Sequence, residues 1–349
     1  MKRIILIFLS TAYIGIWNTV IAQDIHFSQF SQTPLLINPA LTGVLNGDMR
    51  AFLNYKDQWN SFGAPYKTYA LSYEMAVLKQ KWKNNYLGVG LSAFHDKAGN
   101  SDLSTTQVNL SISGNALLDE KHRVSVGLQG GFAQRSINYS ELKWGSQFDG
   151  EQHDPSLSSR ELYSSDTYVF GDFSTGILWS YGTGDSYISS NDQFRANAGL
   201  AFFHFNKPRQ GFYADEELYA KLVFHGGMYI GFKNSNTALL PSILVMKQGA
   251  PIEANLGGML RFRIKEEAKY TGLIKESAIL FGCHYRVGDA IIPSFSFEWA
   301  NYAIGINYDI NVSELKVATA GRGGFEISVR YINPNPFTYG RGTGNKSML

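Results

Sequence analysis

The sequence predicts an all-β protein, a transmembrane antiparallel β-barrel of about 14 strands with an N-terminal leader and a short C-terminal periplasmic tail. Residues 253–264, EANLGGMLRFRI, carry mostly apolar side chains at every second position, with Arg261 and Arg263 between them. A strand places these two sets on opposite faces, whereas no helix can separate them. Similar segments recur along the chain, and many reach the length of about 9 to 11 residues that a tilted strand needs to cross a bilayer.

Fourteen segments of this kind are predicted as strands, and their even number returns both ends of the barrel to one side of the membrane. That side is the periplasm in bacterial outer-membrane barrels, which predicts location in the cell outer membrane. The longest loop, residues 135–167, then lies outside the cell, while short turns at 234–236 and 300–301 lie inside. A soluble sandwich or a large lipocalin-like barrel is the alternative. The predicted strands are residues 49–56, 66–75, 86–95, 105–116, 123–134, 168–181, 194–205, 221–232, 238–246, 253–264, 277–286, 290–299, 302–310 and 324–332.

The composition limits the classes of protein to which the chain can belong. Its 349 residues include 35 glycines, 20 tyrosines, 23 phenylalanines and a single cysteine, Cys283. No apolar run of about 18 residues follows the N-terminal segment, which excludes transmembrane helices. The 31 basic and 29 acidic residues are scattered, so the chain has no basic stripe for nucleic acid. Cys283 cannot form an intramolecular disulfide, and its place in an alternating segment predicts a small buried or lipid-facing side chain.

The N-terminus has the pattern of an export signal. Lys2 and Arg3 precede the apolar residues 4–16, and a short run ending at Ala22 precedes Gln23. This pattern predicts a signal peptide over residues 1–22 that is removed before Gln23, and a membrane anchor is the alternative.

The rest of the chain divides into three predicted parts. Residues 23–47 form a plug-like leader, because they lack sustained alternation and contain two prolines that would interrupt a sheet. Residues 48–332 form the outer-membrane barrel. Residues 333–349, rich in glycine and proline, form a periplasmic tail that either contacts a periplasmic partner or stays loose.

Charged side chains occupy inward-facing positions of the later strands. A charge on the lipid face would cost about 2 to 4 kcal/mol at the membrane midplane, so these side chains must face the lumen. They either brace neighbouring strands as ion pairs or form a ligand site. Because both signs are present, a strongly ion-selective pore is disfavoured and a lumen filled by a peptide or plug is favoured. The predicted lumen charges are Glu253, Arg261, Arg263, Arg286, Glu298, Glu326 and Arg330.

The sequence does not indicate a catalytic, metal or cofactor site. Its seven histidines lack the spacing of metal ligands. Gly127, Gly130 and Gly131 lie within a predicted strand, so they form no phosphate-binding loop and instead allow an inner element to approach the wall. We therefore predict a protein that is not an enzyme and that binds neither a metal nor a cofactor.

The leader carries two motifs close to the predicted cleavage site. It begins QDIHFSQF and continues PLLINPALTG over residues 34–43. These residues resemble the start of the PorP/SprF family of the type IX secretion system, in which a D-x-x-F-S-Q-[YF] pattern follows the signal peptide and N-P-A-x-x-G comes next. The strand rhythm and aromatic character through residue 332 also resemble this family. The matching motif residues are Asp24, Phe27, Ser28, Gln29, Phe30, Asn38, Pro39, Ala40 and Gly43.

The resemblance implies an outer-membrane barrel that assists secretion and anchors a large cargo protein, an adhesin, at the cell surface by binding its C-terminal domain. In some family members this function supports gliding motility. The resemblance also implies other type IX secretion components as partners at the periplasmic face, outer-membrane lipid around the barrel, and no enzymatic activity. An outer-membrane diffusion channel or a transporter of hydrophobic solutes is the alternative function.

We expect residues 24–43 of the leader to pack against the inner wall or the periplasmic mouth, because their apolar side chains would otherwise be exposed. Pro39 has a restricted backbone and biases Asn38 towards an extended conformation. Gly43 permits a left-handed exit from the segment.

Overall fold

A computed structural model of the chain shows a closed barrel of fourteen antiparallel strands, which confirms the predicted fold. The structure describes residues 24–45, 47–59, 65–79, 82, 85–99, 102–161, 166–182, 193–209, 217–265, 276–314, 316 and 319–333. The predicted signal peptide, and the predicted tail beyond Asn333, lie outside the described residues. No helix within the described ranges is long and apolar enough to span a membrane.

Each strand pairs with its neighbours in the chain, and the first strand closes the barrel by pairing with the fourteenth, from Met49↔Asn333 to Gln58↔Gly324. The leader contains a 3-10 turn at Phe30–Gln32, the short helix α1 at Pro34–Ile37 and a second 3-10 turn at Pro39–Leu41. The strands are β1 Met49–Gln58, β2 Tyr66–Val77, β3 Tyr86–Ala98, β4 Leu103–Leu117, β5 His122–Ser136, β6 Thr167–Gly182, β7 Phe194–Phe203, β8 Lys221–Gly231, β9 Thr237–Gln248, β10 Ile252–Lys265, β11 Ser277–Arg286, β12 Ala290–Trp299, β13 Tyr302–Asn311 and β14 Arg322–Asn333.

The outer surface of the barrel is apolar, as the alternation predicts. In β10 the side chains of Leu256 and Phe262 are 46% and 39% exposed, whereas the intervening Asn255 is 1% exposed. Phe262 stacks on Phe281 of β11, with ring centroids 5.4 Å apart. Cys283 is also exposed on this outer face. Lipid covers such a surface in a membrane barrel, so these apolar side chains are shielded from water without a protein partner.

The two ends of the barrel differ in their connections. We call the end at which β1 begins and β14 ends the terminal end, and the opposite end the loop end. The β5–β6 connection, residues 137–166, and the β7–β8 connection, residues 204–220, both lie at the loop end. The two-residue turn between β12 and β13 lies at the terminal end.

The predicted seventh strand is two residues too long, because His204 adopts a left-handed φ of 56° and ends β7 at Phe203.

The interior is filled by the leader rather than by wall side chains alone. Leu35 and Ala40 are fully buried, and Val44 is 2% exposed. Ala40 and Val44, together with Ile37 and Leu41, pack against an apolar part of the wall that includes Leu178 of β6, Val223 of β8 and Leu244 of β9. An apolar core inside a barrel therefore depends on a segment that belongs to no strand.

Candidate functional site: the lumen filled by the leader

The described part of the leader begins at the loop end, where two charged side chains, His204 and Lys221, hold Asp24. The Asp24 Oδ2 atom lies 2.6 Å from His204 Nε2 and 2.8 Å from Lys221 Nζ. The other ring nitrogen of His204 lies 2.8 Å from Asp172 Oδ1 in β6. The backbone nitrogen of Asp24 donates to Gln248 Oε1 at 2.9 Å. Asp24 is thus bound to β8, to β9 and to the connection after β7, and His204 links this group to Asp172 of β6.

Proton affinities at this anchor favour an ion pair. Burial alone would raise the pKa of Asp24, but Lys221 and His204 together hold it well below its usual range. Burial opposes a charge on His204 as well, yet the Asp24 and Asp172 carboxylates raise the pKa of His204 to about 9. The Nδ1 atom of His26 lies 3.5 Å from Glu253 Oε2, but burial lowers the pKa of His26, helped by Lys56 and other nearby cations. At neutral pH, Asp24 and His204 are therefore both charged.

The next leader residues bridge the strand pair that closes the barrel. The backbone N–H groups of Ser28 and Gln29 donate to the two carboxylate oxygens of Glu326 in β14, at 2.7 and 2.9 Å. Lys56 of β1 lies 3.2 Å from Glu326 and donates to the carbonyl oxygen of His26 at 2.9 Å. The leader therefore contacts both strands of the closing seam through one buried ion pair.

Side chains of the FSQF motif complete this packing. Phe27 and Phe30 are 4% and 7% exposed, and Phe30 meets the ring of His284 edge-on at 5.6 Å. The Ser28 hydroxyl donates to Asp309 Oδ2 at 2.8 Å, and the Gln29 amide donates to Asn307 Oδ1 at 2.6 Å. Ser28, Gln29 and Phe30 thus each meet a different side chain of the wall.

The NPA motif is fixed to the opposite side of the wall. Asn38 is extended, with φ of −159° and ψ of 121°, and its Oδ1 atom accepts the backbone N–H of Ala40 at 2.8 Å. Its Nδ2 atom donates to the carbonyl oxygens of Ile177 and Leu200 at 3.0 and 3.3 Å. The same nitrogen lies 3.1 Å from His225 Nε2. The buried amide is therefore satisfied by groups from β6, β7 and β8.

Glycines in the wall make room for the leader. A Cβ atom at Gly127 would lie 2.3 Å from the backbone of Pro39 and Ala40, and one at Gly199 would lie 2.7 Å from Asn38 Nδ2. A Cβ atom at Gly130 would have no leader atom within 4 Å. The expected approach of an inner element thus occurs at Gly127, while Gly130 lies under the outer Phe173 ring and a Cβ at Gly131 would meet Val108 and Asn109 of β4. Gly199, for which the sequence predicts no such role, also makes room for the leader.

The leader leaves the lumen at the terminal end through Gly43. Gly43 has a left-handed φ of 71°, as its place in the motif predicts. Its N–H donates to Glu74 Oε2 at 2.7 Å, and the other Glu74 oxygen lies 2.6 Å from Arg50 Nη2. Both side chains of this Arg50–Glu74 pair are at most 1% exposed. The exit is therefore set by one carboxylate that binds a backbone amide and a guanidinium together.

The predicted lumen charges all lie on inward-facing positions, mostly in two groups. At the terminal end, Glu298 accepts from Arg261 at 2.8 Å and from Arg330 at 2.7 Å. At the loop end, Arg286 lies 2.9 Å from Asp309 and 3.5 Å from Glu253, while Glu326 belongs to the seam described above. Arg263 is half-buried in β10, and its backbone N–H donates to Asn236. Most of these charges are thus arranged as ion pairs between strands.

A small cavity lies beside the loop-end anchor. It has a volume of about 20 Å³ and is lined by Asp24, Ile25, His26, Lys221, Met246, Gln248 and Glu253. Such a space holds about one water molecule. Within the described part of the chain, no group of histidine, cysteine or carboxylate side chains is arranged to hold a metal ion.

Comparison with known proteins agrees with this geometry. The family described as type IX secretion system membrane protein PorP/SprF matches residues 19–331. The chain belongs to the PorP/SprF family. This PorP/SprF protein is accordingly an outer-membrane β-barrel of the type IX secretion system, with its apolar belt in lipid and its leader in the lumen. No curated protein matches the chain.

Several solved outer-membrane barrels are similar in overall shape to this PorP/SprF protein. The CymD monoaromatic hydrocarbon channel is 12% identical with a TM-score of 0.44, covering 88% of this chain and 94% of that chain. A Pseudomonas aeruginosa FadL homologue is 10% identical with a TM-score of 0.43, covering 84% and 92%. BamA from Haemophilus ducreyi lacking POTRA domains 1–3 is 11% identical with a TM-score of 0.40, covering 82% and 70%.

Sequence reasoning found the leader motifs of this PorP/SprF protein but missed the wall residues that receive them. Glu74 carries a detectable signal, because it is a lone carboxylate at an inward position of the alternating segment 66–75. His204 and Lys221 carry none, since they flank a long connection and meet Asp24 only through the closed fold. His225 is one of the seven histidines that lack metal-ligand spacing, and the sequence does not signal its contact with Asn38 of the leader.

Proposed function

We propose that this PorP/SprF protein is a non-enzymatic outer-membrane anchor that assists secretion of a large cargo protein and holds it at the cell surface by binding its C-terminal domain. The supporting observation is the leader, which occupies the lumen and is tied to the wall at both ends. A lumen used for conduction needs an open path, whereas an anchor needs a rigid barrel with binding surfaces at its mouths. The filled lumen therefore favours the anchor over a diffusion channel.

The loop end is the cargo-binding face in this proposal. Long connections of outer-membrane barrels lie outside the cell, and the 137–166 and 204–220 connections both lie at this end. Phe148 in the first of them is 58% exposed, and Leu157 is 38% exposed. Exposed apolar side chains among polar residues are typical contributors to a protein interface. An adhesin as cargo, and a contribution to gliding motility, belong to the same proposal.

The terminal end faces other secretion components in this proposal. Its ion-pair group around Glu298 includes Arg261 and Arg330, whose side chains are 13% and 18% exposed. Partly exposed guanidinium groups provide donors for a carboxylate-bearing partner in the periplasm. The predicted tail follows β14 at this same end.

Purification from the native outer membrane tests the cargo proposal. Gentle solubilisation should recover the barrel with a large secreted protein, and removing the C-terminal domain of that protein should abolish recovery. The purified barrel alone should not conduct ions in a planar bilayer. Sustained conductance without a partner would favour the channel alternative. Equal recovery of the secreted protein with and without its C-terminal domain would refute binding through that domain.

A matched pair of variants locates the binding face. Phe148→Ser removes an exposed apolar side chain from the loop end, and Leu118→Ser does the same at the terminal end, where Leu118 is 66% exposed. Loss of an interface side chain worth about 1.4 kcal/mol lowers affinity about tenfold. We expect that loss of cargo affinity in F148S and an unchanged affinity in L118S. The opposite order would move the cargo site to the terminal end.

A further inference from the structure

The leader contacts the wall in an order that follows the barrel axis. Asp24 meets Lys221, the first residue of β8, at the loop end. The Gln32 carbonyl then accepts from Asn54 near the middle of β1, at 3.0 Å. Gly43 finally meets Glu74 of β2 close to the terminal end. The leader therefore runs through the lumen from the loop end to the terminal end.

This direction is opposite to the one a simple periplasmic plug would take. Because β1 begins at the terminal end, a leader could reach Met49 without passing through the barrel. Here the described leader residues that are farthest from β1 along the sequence lie at the loop end. The Asp24 ion pairs and the hydrogen bond from Lys56 to the His26 carbonyl hold them there. Contacts with both β1 and β14 further require the barrel to close around the segment.

The first described residues are also accessible from the loop end. Asp24, Ile25 and His26 are each half-buried rather than enclosed. They border the small cavity next to Lys221 and Glu253. Both of the longest connections of the barrel begin at this same mouth, so any partner that docks on them lies beside the start of the leader.

We propose that the leader threads the assembled barrel so that its first residues, from Asp24, are displayed on the outer face of the membrane as part of the cargo-binding surface. This inference rests on the anchor function proposed above. It assigns the leader two roles: residues 33–45 fill the lumen, and the half-buried residues 24–26 form part of the surface between the loops. The N-terminal side of the exported chain then faces the cell exterior although β1 starts in the periplasm.

Cysteine labelling of intact cells tests the direction of threading. The full chain carries Cys283→Ala, which removes its single, lipid-facing thiol. Ile25→Cys then reports on the loop end, and Asp48→Cys, at a side chain that is 32% exposed, reports on the terminal end. A charged maleimide does not cross the apolar membrane core, so we expect labelling at position 25 to exceed that at position 48 about tenfold or more in intact cells. Permeabilised cells should label at both positions.

A second reporter separates burial from topology. A Gly-Ser-Cys insertion immediately before Asp24 places the thiol beyond the contacts of Asp24 with the wall. Labelling of this insertion in intact cells supports the proposal even if Ile25→Cys reacts slowly. If neither reporter labels until the membrane is permeabilised, or if only Asp48→Cys labels in intact cells, the leader does not emerge outside and the proposal is wrong.

The same insertion tests the contact with cargo. Its labelling should fall about tenfold in cells that make the full cargo, compared with cells whose cargo lacks the C-terminal domain, because a docked domain shields the leader. Equal labelling in both strains, with cargo still recovered on the barrel, would refute the role of the leader in the cargo-binding surface but not the anchor function. The anchor function fails only if the unaltered chain recovers no cargo.

Discussion

Replacing Gly127 with alanine tests whether the leader is pressed against the barrel wall. Gly127 lies in β5 with an inward-facing position, and its backbone permits alanine because its φ is not in the left-handed region. The new methyl carbon would lie 2.3 Å from the Ala40 nitrogen and from the Pro39 carbonyl carbon. Ordinary contacts begin at 3.4 Å, so backbone of the leader or of the wall must move by about 1.1 Å (3.4 − 2.3).

The expected loss of stability follows from that displacement. Overpacking of a well-packed interior costs about 1 to 3 kcal/mol. Gly114→Ala is the matched control, because Gly114 lies in the neighbouring strand β4 and its new methyl would meet nothing within 4 Å. Alanine at such an unhindered glycine position stabilises by about 0.4 to 1 kcal/mol through the unfolded state. The two variants should therefore shift the free energy of unfolding in opposite directions.

Denaturant unfolding in detergent, followed by tryptophan fluorescence, measures this difference. Hydrogen exchange then locates it: the amide of Ala40, bonded to Asn38 Oδ1, should exchange faster in G127A and unchanged in G114A. Equal unfolding free energies for the two variants, or unaltered exchange in the leader, would refute the packing of residues 39–40 on Gly127.

Three further predictions concern the anchors of the leader. The His204 pKa is raised to about 9 in the folded protein from about 6.5 when unfolded, so its stabilisation of Asp24 is complete below pH 6.5 and is lost as the pH rises to 9. The loss of up to about 3 kcal/mol, measured as a fall in unfolding free energy, should disappear in His204→Gln. Asn38→Ala should lower the unfolding free energy by about 1 to 3 kcal/mol, because two wall carbonyls lose their buried donor. Arg50→Met should cost about 3 to 5 kcal/mol by leaving the buried Glu74 carboxylate without its cation, and the double variant with Glu74→Met should cost less than Arg50→Met alone.

Each of these predictions has a contrary outcome. A pH profile that is the same in wild type and His204→Gln would show that the Asp24 contact does not hold the leader. Unchanged stability in Asn38→Ala would mean that the NPA motif is not fixed by its amide. Simple addition of the two losses at Arg50 and Glu74 would show that these side chains are not coupled.

The barrel was predictable from sequence because alternation and strand length are local properties. The side chains of residues 253–264 change face at every step, and one register is compatible with lipid on one side and a polar lumen on the other. Strand ends were less predictable, as the early end of β7 shows: His204 has a left-handed φ, and its side chain contacts Asp24 and Asp172, which lie far from it in the sequence.

The leader was predictable as a packed segment but not as a threaded one. Its apolar residues and its restricted Asn38-Pro39 pair indicate a rigid element that needs a cover. The partners of that element lie far along the chain: Asp24 and Lys221 are 197 residues apart, and Ser28 and Glu326 are 298 apart. No local pattern encodes a pairing at such separations.

The sequence by itself thus determined the class of the protein, the number of its strands, the lumen-facing charges and the family motif, since each is written in residue types at short spacing. Tertiary structure alone decided that the leader runs from the loop end to the terminal end, that Glu326 joins it to the closing seam, and that Asn38 meets the wall at His225. These contacts exist only after the barrel closes and brings distant strands around one segment.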